Sequence, residues 1–201
     1  MDKNSEAYYG APGLFEYMLV VCPGKEVYKM IMDEKWQFFR KYGHSLTIKT
    51  RPHVTVSNFL AWDHMESTII RRLQNLVREQ RSFRVTLNNY SGFPSHTVYI
   101  RIQENEGLRD LNYRLKAIDP YVKETRWLTA RSMHYPVISL APQLSAELYE
   151  NAIKDYSNKE FHASFEVAEL VLFRRQHPHD KYKEAGVFRL QPVIEQLNQV
   201  L

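Results

Sequence analysis

Arg51-Pro52-His53-Val54-Thr55-Val56-Ser57 is the stretch on which the reading of this chain turns. As a β-strand it sends alternate side chains to opposite faces, so His53 and Thr55 share one face and Val54 and Val56 the other. An apolar pair turned inward, with an imidazole and a hydroxyl turned outward, is half of what a phosphate-handling site needs. The imidazole moves a proton near neutral pH, and the hydroxyl holds a phosphoryl oxygen. The same pattern also describes a half-buried strand with a solvated polar face, so the rest of the chain has to decide.

The 201 residues suffice for one large domain or two small lobes sharing a core. With 44% hydrophobic and 25% charged residues, the composition is that of an ordinary soluble globular protein. The net charge of +4 suits an anionic substrate without demanding one. A single cysteine, Cys22, excludes an internal disulfide and a cysteine metal cluster; at the end of an apolar run it reads as a buried structural thiol. Met1 to Pro12 lacks an apolar signal core, and no apolar run reaches membrane-spanning length. The expected setting is therefore soluble and cytoplasmic.

Residues 1–13 read as a flexible tail and 14–201 as a single bilobal domain. Phe15 to Cys22 reads as a buried strand and Lys25 to Tyr42 as a helix stopped by Gly43. Leu46 to Lys49 reads as a short strand leading into the His53 strand. Asp63 and Glu66 have the spacing of a capping box, and Ile69, Ile70, Leu73, Leu76 and Val77 form the apolar stripe of the helix that follows. Phe83–Asn88 and Thr97–Gln103 alternate as an antiparallel pair, and Leu108, Leu111, Leu115 and Ile118 mark a further helix. A polar connection over 119–133 leads to a strand at Tyr135–Leu140 and a helix over Ser145–Tyr156. One long strand over Phe161–Phe173, a charged loop over Arg174–Glu184, a short strand at Val187–Leu190 and a final amphipathic helix complete the chain. Adjacent strand pairs without an intervening helix favour an α+β architecture over a doubly wound parallel sheet. No Gly-rich phosphate loop, metal-ligand spacing or Gly-x-Ser-x-Gly elbow occurs.

This order resembles the two-histidine (2H) phosphoesterases, the superfamily of 2′,5′ RNA ligase-like proteins and cyclic phosphodiesterases, over nearly the whole chain. The motifs are Pro52-His53-Val54-Thr55-Val56 and a second copy, Pro136-Val137-Ile138-Ser139-Leu140. The resemblance implies two pseudo-symmetric lobes of mainly antiparallel sheet, with flanking helices around a central cleft. It also implies two histidines acting as a general acid–base pair on a phosphodiester while the hydroxyls hold the phosphate. In this sequence His53, Thr55 and Ser139 match, but Val137 stands where the family has its second histidine. His134 lies at an odd offset of three from Val137, on the opposite face of a regular strand, and would need a bend before Pro136 to re-aim it. A register of His134-Tyr135-Pro136 keeps the histidine but loses the hydroxyl.

The resemblance implies a metal-independent phosphoesterase, without cofactor, acting on RNA 2′/3′ phosphate ends, cyclic phosphates or 2′-5′ linked nucleotides. The chain would work as a monomer and without a membrane. His53, Thr55 and Ser139 are its catalytic candidates, and Tyr135, Arg131, Arg174 and Tyr182 its candidates for substrate binding. His134 is the substitute acid or base, with His177 and His179 of the late loop further off. Because one positioned acid or base contributes about 10²–10⁴-fold, loss of the second histidine leaves two readings open: a slowed enzyme, or a nucleotide or RNA-end binding module.

Overall fold

The computed structural model describes residues 11–118, 131–132 and 136–193, the backbone alone at 131–132. Leu14–Val21 (β1) is apolar at almost every position, and Tyr17, Leu19, Val20 and Val21 are fully buried. Lys25–Tyr42 (α1) buries Val27, Ile31 and Phe38 at helical spacing. It ends at Gly43, whose φ of 69° is the left-handed conformation a helix C-terminus favours in glycine. A four-residue helix, Leu46–Lys49 (α2), leads to Val54–Trp62 (β2), and a 3₁₀ turn leads to Glu66–Val77 (α3). Then come Phe83–Phe93 (β3), Thr97–Ile102 (β4) and Glu106–Leu115 (α4). The second half comprises Arg131–Ser132 (β5), Val137–Ala141 (β6), Ala146–Tyr156 (α5), His162–Val167 (β7), Glu169–Arg175 (β8) and Lys183–Arg189 (β9).

The strands form one sheet in the order β7-β3-β4-β6-β2-β1-β8-β9, with β5 also on β2, and every pairing between named strands is antiparallel. This is the α+β architecture of two lobes. One lobe is β7-β3-β4-β6 and the other β2-β1-β8-β9, and they meet where β6 pairs with β2. Each lobe repeats a unit of strand, helix and motif strand: β1-α1-β2 and β4-α4-β6. The helices cross over. α1 follows β1 but packs on β6 and β7, beside α5 through Phe38 and Tyr156, whereas α4 follows β4 and packs beside α3.

Several elements differ from their sequence reading. Leu46–Lys49 is a helical turn, because an alternation of two apolar residues fits one turn as well as a strand. Thr47, not Leu46 or Ile48, is its buried residue. Asp63 and Glu66 form no capping box. The Asp63 carboxylate accepts from the His64 amide at 2.7 Å, while Glu66 turns inward to Tyr17 and Arg174. The long strand expected over Phe161–Phe173 breaks at Ala168. β7 joins β3 in one lobe and β8 joins β1 in the other, so a single apolar run serves two separate edges. Cys22 lies past the end of β1 and is exposed. β3 runs on to Phe93 through an irregularity at Asn89, whose φ is 58°, and β9 begins at Lys183 rather than Val187. The final helix expected from Val193 falls, from residue 194, outside the described residues. No described helix is long and apolar enough to cross a membrane.

Candidate functional site

Val54 is paired with Ile138 where the lobes meet, and both are fully buried. One step outward along this antiparallel pair lie His53 opposite Ser139 and Thr55 opposite Val137, all four half-buried on the other face. The two Pro-x-x-hydroxyl-apolar segments thus sit side by side about a local pseudo-dyad through Val54 and Ile138. That geometry follows the Pro136 register. β4 extends the same face, with Tyr99 paired to Ser139 and Arg101 to Val137. The site face therefore carries two rows, Tyr99-Ser139-His53 and Arg101-Val137-Thr55.

His53 Nδ1 lies 2.8 Å from the Arg51 carbonyl. A carbonyl only accepts, so Nδ1 carries the proton and donates it, leaving the Nε2 lone pair for chemistry. Burial pushes the His53 pKa below its ordinary value and the nearby Lys35 charge pushes the same way, while the Arg51 carbonyl opposes them. The imidazole is accordingly held neutral at neutral pH, the state of a base. Ser139 Oγ is shielded from solvent and bonded to none of the described residues.

A shift of register between Leu19 and Val20 re-phases β2 against β1. Thr55 pairs with Val20 and Asn58 with Met18, two β1 residues of one face, so Asn58 shares the face of Thr55. Asn58 donates to Glu16 Oε1 at 3.0 Å, and Arg175 Nε donates to Glu16 Oε2 at 2.6 Å. The Arg175 guanidinium also lies 4.5 Å from the Tyr182 ring centroid. Burial works to raise the Glu16 pKa, but the hydrogen bonds from Arg175 and Asn58 and the Arg175 charge together hold it below the usual range. Tyr182 is thereby gathered with Glu16, Asn58 and Arg175 on the His53 face. Arg174, one residue along, turns to the opposite face, where Nη1 meets Glu66 Oε2 at 2.6 Å beneath Phe15.

Among the remaining sequence candidates, Arg131 is placed by backbone pairing with Asn58. His134 and Tyr135 lie outside the described residues. His177 and His179 are exposed in the loop between β8 and β9. Beside the second motif, a cavity of about 660 Å³ is lined by Tyr99, Arg101, Asn112, Tyr113, Pro136 and Val137 among others. Among the described residues no group of His, Cys, Asp or Glu side chains is arranged to hold a metal ion.

Sequence reasoning missed Lys35, Glu16, Asn58, Tyr99 and Arg101. Two of them left a signal. Lys35 occupies a core position of the α1 stripe, four residues after Ile31 and three before Phe38, and Glu16 is a lone charge inside the apolar β1 run. Tyr99, Arg101 and Asn58 are picked out by strand partners far away in sequence, and short-range spacing carries no trace of that.

A sequence model described as the 2′-5′ RNA ligase superfamily matches residues 31–179. Among solved structures, TT0787 of Thermus thermophilus superposes with a TM-score of 0.62 at 17% identity, covering 89% of this chain and all of that one. E. coli LigT complexed with 3′-AMP superposes with a TM-score of 0.58 at 13% identity, covering 89% of this chain and 99% of that one. Usb1 of Kluyveromyces marxianus gives 0.51 at 13% identity, with coverages of 88% and 97%. At such identities the likeness is one of fold. No curated protein sequence matches the chain.

Proposed function

Since the chain belongs to the 2′-5′ RNA ligase superfamily, we propose that it is a 2H phosphoesterase acting on 2′,3′-cyclic phosphates or 2′-5′ linkages at RNA ends with one motif histidine. The observation that supports this reading is the pairing of Val54 with Ile138, next to which His53, Thr55 and Ser139 are half-buried on the other face of the two motif strands. In this mechanism the hydroxyls of Thr55 and Ser139 hold non-bridging phosphoryl oxygens. His53 Nε2 takes a proton from water as its oxygen attacks phosphorus, and the bond from phosphorus to the 2′ or 3′ oxygen breaks. In the family pattern a second imidazole returns a proton to that oxygen. Here Val137 has none to give, so the proton comes from solvent or from Tyr135 or His134. A cyclic phosphate suits such a site, because release of ring strain lowers the demand for an acid. Arg131, whose backbone pairs beside Asn58, is the proposed cation for the phosphate. Arg174 is left out of this reading, since Glu66 already neutralises it on the opposite face.

Val137 supports a second reading, a binding module in which the same cleft retains a nucleotide or an RNA end without turning it over. Incubation with 2′,3′-cyclic nucleotides and short 2′-5′ linked oligonucleotides separates the two. Turnover that disappears in His53→Ala supports the enzyme. Saturable binding without turnover supports the module, and neither binding nor turnover overturns both.

A further inference from the structure

Lys35 is fully buried in the middle of α1, and its ammonium is met by three oxygens of neutral groups. Nζ donates to the Thr50 hydroxyl at 3.0 Å, to the Leu140 carbonyl at 3.0 Å and to the Thr47 carbonyl at 3.2 Å. An ammonium has three N–H donors, so every one is used. No carboxylate hydrogen-bonds or ion-pairs with it among the described residues, which makes this an expensive way to fill a core position that Leu or Met would fill without desolvating a charge.

The placement of the three oxygens explains what that cost supports. Thr47 and Thr50 belong to α2 and its end, and Thr50 is followed by Arg51, Pro52 and His53. Leu140 follows Ser139 in β6. Among the described residues the two motif strands pair at Val54 and Ile138, so little main-chain bonding there holds His53 against Ser139. We propose that Lys35 is a positioning residue of the site, an ammonium clamp that ties the segment entering His53 to the second-motif strand and holds the imidazole and Ser139 at a fixed separation. The clamp spans the lobes, since α1 grows out of β1 yet its lysine ends on β6. Its charge also acts on His53, which links the geometry of the site to the proton affinity of its base.

The main test is independent of catalysis. His53 is titrated by NMR of the labelled imidazole in the wild type and in Lys35→Met, a variant of similar volume with no donors. Loss of the clamp and its charge raises the His53 pKa. Amide hydrogen exchange speeds up together in residues 51–54 and 138–141. An unchanged His53 titration in folded Lys35→Met, or faster exchange in only one segment, overturns the proposal. Should Lys35→Met fail to fold, Thr50→Val removes one acceptor and keeps the lysine. It is expected to speed exchange in 51–54, and unchanged exchange there overturns the clamp. A second arm rests on the phosphoesterase reading: with a cyclic nucleotide, Lys35→Met lowers kcat about tenfold or more with KM little changed. If neither protein turns over a substrate, that reading fails while the NMR result still decides the clamp.

Discussion

Val137 faces Thr55 across the central pair of strands, at the place the pseudo-dyad assigns to a partner for His53. Replacing it with histidine puts a second imidazole on the site face without changing the strand, because the position is half-buried and its row continues into Arg101 and Thr55. Val137→His is expected to raise turnover of a 2′,3′-cyclic nucleotide at least tenfold, short of the full gain of about 10²–10⁴ because an engineered acid is less well positioned than a native one. No gain would show that the space opposite Thr55 has lost its catalytic geometry. The pH dependence adds a second check. His53 acts in its neutral form and its pKa is lowered from 6.5 by burial. Wild-type kcat/KM should therefore fall as pH drops through a value below 6.5. With solvent as the proton source it lacks the alkaline limb of an acid–base pair, whereas such a limb in the wild type would assign the acid to Tyr135 or His134. Val137→His should restore that limb.

At the scale of elements, Glu16 joins three strands. It projects from β1, accepts from Asn58 of β2 and pairs with Arg175 of β8, while only 5% exposed. Glu16→Gln keeps the shape but leaves the guanidinium without its anion. The expected loss is about 2–3 kcal/mol at pH 7 by urea unfolding. The folded carboxyl has a lowered pKa, so its contribution is complete above the unfolded value near 4.5 and disappears as pH falls through the folded value. Wild type and Glu16→Gln should thus converge in stability as pH falls from 4.5 through the lowered folded value. A difference that stays constant while the Glu16 carboxyl takes up its proton would mean that the substitution acts through packing instead. The same scale shows where sequence periodicity succeeds. α1 is bounded as read, from Lys25 to Tyr42, because a long amphipathic stripe ending in glycine has few alternatives. The adjacent antiparallel strands were legible for the same reason, and so was the outward face of His53 and Thr55. Leu46–Lys49 was not, since four residues fit two periods equally well. The break at Ala168 was not either, because it depends on which sheet edges remain open after β3 and β1 are placed. His53 and Ser139 were found as separate half-sites, whereas their distance depends on a lysine 18 residues away from one and 104 from the other.

For the whole molecule, continuity of the sheet and the crossing of α1 to the opposite lobe predict that both lobes unfold in one transition. Lys35 offers a direct reading of this. Burial lowers its pKa from 10.5 to about 7. Between these values the unfolded chain holds a proton that the folded protein has released, so stability rises with pH, by about 1.4 kcal/mol per unit. Lys35→Met lacks that term. The unfolding free energy of the wild type should therefore gain about 2 kcal/mol on the variant between pH 7.5 and 9, measured by urea titration at each pH. Because the Lys35 nitrogen is shared by α1, α2 and β6, the gain should belong to a single transition seen alike by tryptophan fluorescence and by far-UV circular dichroism. Two transitions, with the pH dependence confined to one, would mean that the lobes are stable apart and that the cleft between their motif strands is held only at its seam. A single transition with no gain would mean that the lysine keeps its proton on folding. Its three oxygen partners would then compensate the charge as fully as water does.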